Sequence, residues 1–521
     1  MADSTIVFAV LGAVVVLFVA DVLPVEVVAV GSALVLWATD VLGLDEALAG
    51  FGDPTVVYIA ALFVVSEALD AAGITTWAGR HLARAAGESA SRLLLLLMVL
   101  AALLTAVISV NGAVAALLPV VVVLAVKLHR PASELLMPMA FAAHAGSMLA
   151  LTGTPVNVIV SEAAADTGHD QIGFFEFAQA GVPLVLGTIG IVLLVGRRLL
   201  PDRTTRQIPK DFSDHARTLV SHYEVDDGDS PLYDRRGGVA EVVIAPRSGM
   251  VGQQAFPGMV TESGDLVVVA VQRHGQDRGP GTTTLATGDT LLVRGSWDAL
   301  STNLQDPDVL VVDQPDLVRR QAVPYGPGAR RVTVIVLGMV VLLATGAVPP
   351  AVAGLLAAGA LVVTRVVSVD QAYRSVSWTT VVLVAGMIPL STAMRTSGAA
   401  EQVADRLVDV VGDAGPYPLL VGIFVVTAVL GQLVSNTATV LIVIPIAVSA
   451  AASLDVSTLP VLMSLNVASS AALLTPMATA ANMMVMGPGG YRFGDYARLG
   501  LPLLVWFFVV AVGVVPVFWP L

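Results

Sequence analysis

Apolar runs long enough to cross a bilayer recur along almost the whole chain, and nothing else in the sequence restricts the fold as severely. A spanning helix needs roughly 20 mostly apolar residues. Such runs lie near residues 5–20, 23–40, 55–72, 134–160 and 175–196, and again near 332–348, 350–364, 376–392, 458–486 and 500–519. Two longer blocks, about 93–126 and 417–452, have room for two helices each and are broken in the middle by polar residues. With 56% hydrophobic and only 13% charged residues, the chain reads as a polytopic membrane protein. The opening MADSTIVFAVLG carries no basic segment before its apolar run, so it reads as a retained first span rather than a signal peptide.

Cysteine is absent, which removes disulfides, thiolate metal sites and cysteine nucleophiles together. A net charge of -13 argues against a nucleic-acid partner. The charge is concentrated in residues 198–325, a polar, Asp-rich interval with strand-like alternation in EVVIAP, DLVVVAVQ and DTLLVRG. That interval reads as a soluble domain between two membrane halves.

The halves repeat one another. LDEALAGFGDPTVVYIAALFVVSEALDAAG, from Leu44, aligns with VDQAYRSVSWTTVVLVAGMIPLSTAMRTSG, from Val369. An offset of 325 pairs Pro24 with Pro349, Asp45 with Asp370, Ser66 with Ser391, Gly73 with Gly398 and Asn157 with Asn482; around the broken blocks an offset of 326 pairs Ser109 with Ser435 and Pro119 with Pro445. Residues 1–197 and 326–521 are therefore expected to be two copies of one unit.

Five crossings per copy plus one block that enters and leaves on the same side would turn the second copy upside down. The basic residues agree with that topology. Arg80, Arg84, Arg92, Lys127, Arg130, Arg197 and Arg198 fall on one side together with Arg330, Arg331, Arg365, Arg374, Arg492 and Arg498. Arg395 and Arg406 fall opposite, among Glu401, Asp405, Asp409 and Asp413. The expectation is an all-α polytopic protein of the inner cell membrane, made of two inverted repeats of five spans plus a re-entrant hairpin. A small α/β cytoplasmic domain is inserted between them, and both termini lie outside. Inverted repeats with a site at their interface are common among secondary transporters.

The broken blocks mark the site. Bare backbone is tolerated at membrane depth only where protein or a water-filled cavity satisfies it. Read as a hairpin, 417–452 turns at Ser435, Asn436 and Thr437; the returning arm then presents free N–H groups and a positive dipole end, suited to an anion. Carbonyls ending the first arm suit a small hard cation. A second polar break interrupts a long span in each half, at LTGTPVNVIVSE in 134–160 and at LLTPMATAANMMVMG in 458–486. There Gly153, Pro155 and Pro476 weaken the helix, while Thr152, Thr154, Asn157, Thr475, Thr479 and Asn482 offer polar groups. Ser and Thr also serve simply as helix contacts in membranes; it is their grouping and repetition that point to a site. His144 is a candidate pH-sensitive group with Ser469 as its counterpart, and Glu67 a candidate proton site near the end of its span.

With these residues, the chain resembles the divalent anion/sodium symporter family of sodium-coupled dicarboxylate and sulfate carriers. VSNTATVLIVIPIA carries that family's Ser-Asn-Thr signature, and GPGGYRFGDYARLGLPLL is similar to another marked stretch. The resemblance covers both membrane halves. It implies substrate contacts from Ser109, Asn111, Thr154, Asn157, Ser435, Asn436, Thr437, Thr479 and Asn482, and sodium ligands among Thr105, Ser109, Gly153, Asn436 and Ala478. It also implies an elevator mechanism in a homodimer, with sodium as coupling ion and no resident cofactor. The first hairpin departs from the signature: in SVNGAV, Val110 stands in the Asn position and Asn111 in the Thr position. Asn111 can still donate to an oxyanion or lend its oxygen to a cation, whereas Val110 can do neither.

The inserted interval, with a core of about 222–312, resembles a TrkA-C module, which implies control by a small regulatory ligand or help with dimerisation. No Gly-rich phosphate loop is visible; GQDRGPG reads as a turn, and Arg235, Arg236, Arg247 and Arg273 read as solvated surface. Three other functions compete with the carrier reading. A potassium- or ligand-regulated channel lacks any TVGYG-like filter. A proton-coupled or sensor-like relative is suggested by the altered first hairpin. An enzyme would need a nucleophile–base pair or metal cluster, and neither is visible.

Overall fold

The computed structural model describes the chain apart from residues 1–2, 21, 75–76, 79–80, 82–84, 86–88, 129, 202, 204–232, 234–236, 262, 274–275, 280, 305–307, 313–317, 319–327 and 412–414. Arg80, Arg84, Arg235, Arg236 and Asp413 lie outside the described residues, as does the start of the 222–312 core. Met1–Leu69, Ala78–Pro209 and Arg331–Leu521 form one compact unit, and Asp70–Trp77 with Lys210–Arg330 the other.

The large unit is helical throughout. Its first half runs α1 (Asp3–Ala20), α2 (Val25–Ala38), α3 (Leu44–Leu48), α4 (Pro54–Ala71), α5 (Ala90–Thr105), α6 (Val110–Lys127), α7 (Leu136–Gly146), α8 (Pro155–Asp166) and α9 (Ala178–Ile191). Among the described residues, six helices are long and apolar enough to span a membrane. In the smaller unit, β1 (Gly237–Ile244), β3 (Leu266–Arg273), β4 (Gln276–Asp277), β6 (Thr290–Ser296) and β7 (Val309–Val311) form one antiparallel sheet in the order β4-β3-β6-β1-β7, and β2 (Gln254–Ala255) pairs with β5 (Thr283–Thr284). One helix, α10 (Trp297–Asn303), follows β6, with Ser296 Oγ capping the Ala299 N–H. The second half of the large unit runs α11 (Ala329–Thr345), α12 (Pro350–Val363), α13 (Val369–Ser375), α14 (Trp378–Thr396), α15 (Ala399–Val411), α16 (Pro416–Leu430), α17 (Asn436–Ser453), α18 (Thr458–Ser470), α19 (Ala480–Gly489) and α20 (Phe493–Val509).

Corresponding backbone irregularities recur in the two halves. Asp40 and Arg365 are non-glycine residues in the left-handed region, at φ 57° and 54°; Gly73 and Gly398 sit there at 68° and 72°. Each pair is separated by the offset that aligns the sequences. Left-handed conformation is costly for a residue with a side chain, so its repetition at matched positions is a demanding coincidence.

The strands fall where alternation places them, with Val242, Val268, Val271, Leu291 and Val293 buried in one apolar core. Two expectations fail in this unit. Part of GQDRGPG is strand, Gln276–Asp277, paired with the end of β3. Arg273 is not a solvated charge. Its Nε and Nη2 donate to the two oxygens of Asp289, each at 2.6 Å, and the Asp289 side chain is only 1% exposed. A carboxylate that far from water needs a counter-charge, which no sequence period announces. Burial pushes this carboxyl up, but Arg273, the Ala286 N–H and nearby Arg278 outweigh it and hold it below its ordinary value. Stability from the ionised pair is therefore present above the unfolded-state pKa and lost as pH falls through the lower folded-state one. Asp289→Ala should lower the melting temperature of this unit in the intact chain by roughly 5–10 °C near neutral pH. Hydrogen exchange at β1 and β6 should show that difference shrinking as the medium is acidified through the carboxylate range.

A further network fastens the GPGGYRFGDYARLG stretch. The Tyr491 hydroxyl donates to the Ser133 carbonyl at 2.5 Å and accepts the Met137 N–H at 2.9 Å. Asp495, 3% exposed, caps the Arg492 N–H and takes Arg203 Nη1 at 2.6 Å. The stretch thus anchors the N-terminal end of α7 to the start of α20.

Candidate functional site

Four helices begin at one place. Ser109 Oγ accepts the Gly112 N–H at the start of α6, and Ser435 Oγ accepts the Ala438 N–H at the start of α17. Thr154 Oγ1 accepts the Val156 N–H ahead of α8, with Pro155 at the first helical position; Thr479 Oγ1 accepts the Asn482 N–H ahead of α19. Each is a Ser or Thr N-cap, a local signal that starts a helix wherever the preceding chain breaks. Breaks separate α5 from α6, α7 from α8, α16 from α17 and α18 from α19, where polar residues interrupt the apolar runs.

All four caps line a single cavity of about 530 Å³. Of the candidate residues, Ser109, Asn111, Gly153, Thr154, Ser435, Asn436, Thr437, Ala478 and Thr479 are brought together on its wall. Among the described residues, no Asp, Glu, Lys or Arg lines it. The positive ends of four helix dipoles, each equivalent to about half an elementary charge, therefore supply the local field. A field of that sign suits an anion, bound by N–H and hydroxyl groups.

Thr105, Asn157 and Asn482 are not on the wall. Thr105 is fully buried and its hydroxyl donates to the Ala101 carbonyl at 2.7 Å. Asn157 Nδ2 donates to the carbonyls of Ser147 and Ala150, each at 2.8 Å, and its Oδ1 accepts from Asn466 Nδ2 at 2.9 Å. Asn482 makes the matching pattern: Nδ2 donates to Ala472 and Thr475 at 2.9 and 3.0 Å, and Oδ1 faces His144 Nε2 at 3.2 Å. These two asparagines close the carbonyls left open by the helix breaks, behind the wall.

Other ties hold the tips. The Thr152 hydroxyl donates to the Ala106 carbonyl at 2.7 Å, and Gln432 bridges hairpin to break by donating to Ala471 O and accepting the Leu474 N–H, both at 3.0 Å. Asn111 Oδ1 accepts the Ala481 N–H at 3.1 Å, so the altered first tip caps the helix of the other half. Gly153 packs directly on the Ser147 carbonyl, where any Cβ would collide. Asn466 is a polar residue in an apolar helix and Gln432 one just past the end of another, a signal that could have found them. Ser375, Ser377 and Thr380, which line the cavity from the α13–α14 junction, carried no such signal.

At the second tip, buried Asn436 Oδ1 has no hydrogen-bond partner, nor do Thr427 Oγ1 and Thr439 Oγ1. Gly431 brings two of the local oxygens close: a Cβ there would lie 3.2 Å from the Thr427 carbonyl and 3.8 Å from Asn436 Oδ1. A buried oxygen without a donor is costly unless a cation or water completes it.

The family model described as "Citrate transporter" matches residues 15–415. The chain belongs to the citrate-transporter family. A second model, the sodium:sulfate symporter transmembrane region, matches residues 323–521. The chain is 28% identical to an uncharacterized transporter of Escherichia coli (strain K12), YfbS, over 99% of both chains. It is also 28% identical to a probable sodium/sulfate cotransporter 3 of Chlamydomonas reinhardtii, over 56% of this chain and 33% of that one. The solved structure of the Alcanivorax borkumensis YdaH transporter aligns over 91% of this chain and 87% of its own at 12% identity, with a TM-score of 0.48. The protein is thus a member of a transporter family with membrane helices, and its relatives are transporters rather than enzymes.

Proposed function

We propose that the protein is a secondary active carrier of small divalent anions, such as dicarboxylates, sulfate or citrate, driven by the sodium gradient. One observation carries this reading: four capped helix N-termini share a cavity whose wall, among the described residues, has no Asp, Glu, Lys or Arg. The second tip adds a cation candidate in the partnerless Asn436 Oδ1. Ser109, Asn111, Thr154, Ser435, Asn436, Thr437 and Thr479 hold the anion. Sodium takes Asn436 and the Ala478 backbone at the second tip, and Ser109 with Gly153 at the first.

The two halves are inverted repeats, a reading supported by the paired left-handed residues and by the matching bonds of Asn157 and Asn482. The cavity reaches Ser375 and Ser377, next to Arg374 along the chain and on the side assigned to the cytoplasm, which supports an inward-facing reading. It works as an elevator in a homodimer in the inner membrane, with both termini outside. The sheet-containing unit is a cytoplasmic TrkA-C module that answers a small ligand.

Proteoliposomes should take up radiolabelled succinate, sulfate or citrate only under an inward sodium gradient. Uptake that ignores sodium but follows a proton gradient would transfer the coupling to protons, while uptake indifferent to both would remove it. Currents far above carrier turnover would replace the carrier with a channel.

A further inference from the structure

The direction of one hydroxyl in the cavity is set from behind. Asn482 Nδ2 lies 2.9 and 3.0 Å from two carbonyl oxygens, so this end of the carboxamide must be the amino group. The atom facing His144 is then Oδ1, which can only accept. His144 Nε2, 3.2 Å from it, must carry a hydrogen, whether the ring is neutral or charged. The same Nε2 lies 3.2 Å from Thr479 Oγ1, so its one hydrogen is shared between Asn482 Oδ1 and Thr479, and Thr479 meets a donor there. Its oxygen also accepts the Asn482 N–H at 3.2 Å. A hydroxyl has two acceptor positions, and both are taken. What remains is the O–H, on a partly exposed side chain of the cavity wall.

The matching cap in the other half is not held this way. Thr154 Oγ1 accepts from the Val156 N–H at 3.4 Å, and Ser469, at the offset from His144 that aligns the halves, donates to the Asn466 carbonyl at 2.8 Å. Thr154 therefore keeps an acceptor position free and can meet a donor, an oxyanion or a cation.

We propose that His144 is a positioning residue that fixes the Thr479 hydroxyl as a donor, so that the α19 end of the cavity admits only a fully ionised, acceptor-only oxygen. A substrate end bearing an N–H or O–H is disfavoured there: its carbonyl can meet one donor, but it offers one acceptor oxygen fewer, and its own hydrogen faces the Thr479 donor or the helix N–H groups. The inference rests on the anion-carrier reading, which it deepens from a preference for anions to a requirement on the ionisation of one end.

The test is competition in proteoliposomes: radiolabelled succinate uptake inhibited by succinate or by succinamate, whose amide end donates. If the wild type takes up sulfate instead, sulfate and sulfamate form the pair. Wild type should prefer the dianion strongly. His144→Leu should shrink that preference about tenfold, the worth of one hydrogen bond, and His144→Gln, which can still donate, should restore it. A general packing defect would slow uptake of both without changing their ratio. Thr479→Val reads the same loss independently of any effect at position 144. A wild-type ratio in His144→Leu or Thr479→Val overturns the assignment, as does a collapsed ratio in His144→Gln. Wild-type protein that takes up neither anion defeats the carrier reading itself, a different failure.

Discussion

Asn436→Ala should cut sodium-driven anion uptake by about 100-fold while leaving the folded protein nearly as stable as wild type. Both halves of that expectation come from one atom. Asn436 Oδ1 is buried and without a protein partner, so its removal strands no donor and opens only a small cavity. A ligand oxygen lost from a cation or an anchored anion is worth about 1.5–3 kcal/mol, which is one to two powers of ten in affinity. Sodium titration of uptake rates, beside a denaturation curve, separates the two effects. A variant that melts early, or one with an unchanged sodium dependence, would remove Asn436 from the ion site.

Asn157→Ala should do the reverse. The side chain satisfies the Ser147 and Ala150 carbonyls and the Asn466 amide; without it the Ser147 carbonyl and the Asn466 amide would be left buried and unpaired, and the Ala150 carbonyl would keep only the Gly153 N–H. Each such group costs about 1–3 kcal/mol, so a loss of about 3 kcal/mol is a low expectation. Denaturation midpoints in mixed SDS micelles measure it. Asn157→Asp should be no rescue, since an ionised carboxylate cannot donate to either carbonyl. A midpoint equal to wild type would mean that the break in α7–α8 closes without this bracket.

Those two residues also mark how far the sequence could be read. The N-caps were legible because capping is local: Ser435 or Thr479 after an apolar run announces a helix start. The expectation of a repeat rests on Pro24 and Pro349, or Gly73 and Gly398, keeping one offset. Asn157, Asn482 and Asn436 could not be told apart, because an asparagine beside a helix break can face the cavity or brace its rear, and only three-dimensional neighbours decide. The same holds for Arg273, whose partner Asp289 lies just ahead of the next long strand. Gln432 and Asn466 were visible as polar residues in an otherwise apolar run, but their partners lie across the break or in the opposite half. Ser375 and Ser377 entered the wall only because the α13–α14 junction packs beside the tips.

A wall that owes its field to backbone dipoles also governs how the carrier feels the membrane potential. In the elevator we propose, helix dipoles would turn with the mobile unit but carry no net charge, so the empty cavity, His144 aside, would transfer none on crossing. All voltage dependence then resides in the loaded step and in the sum of its passengers. A dianion with two sodium ions would cross without electrical work. A third sodium would expose the cycle to about 2.3 kcal/mol per 100 mV.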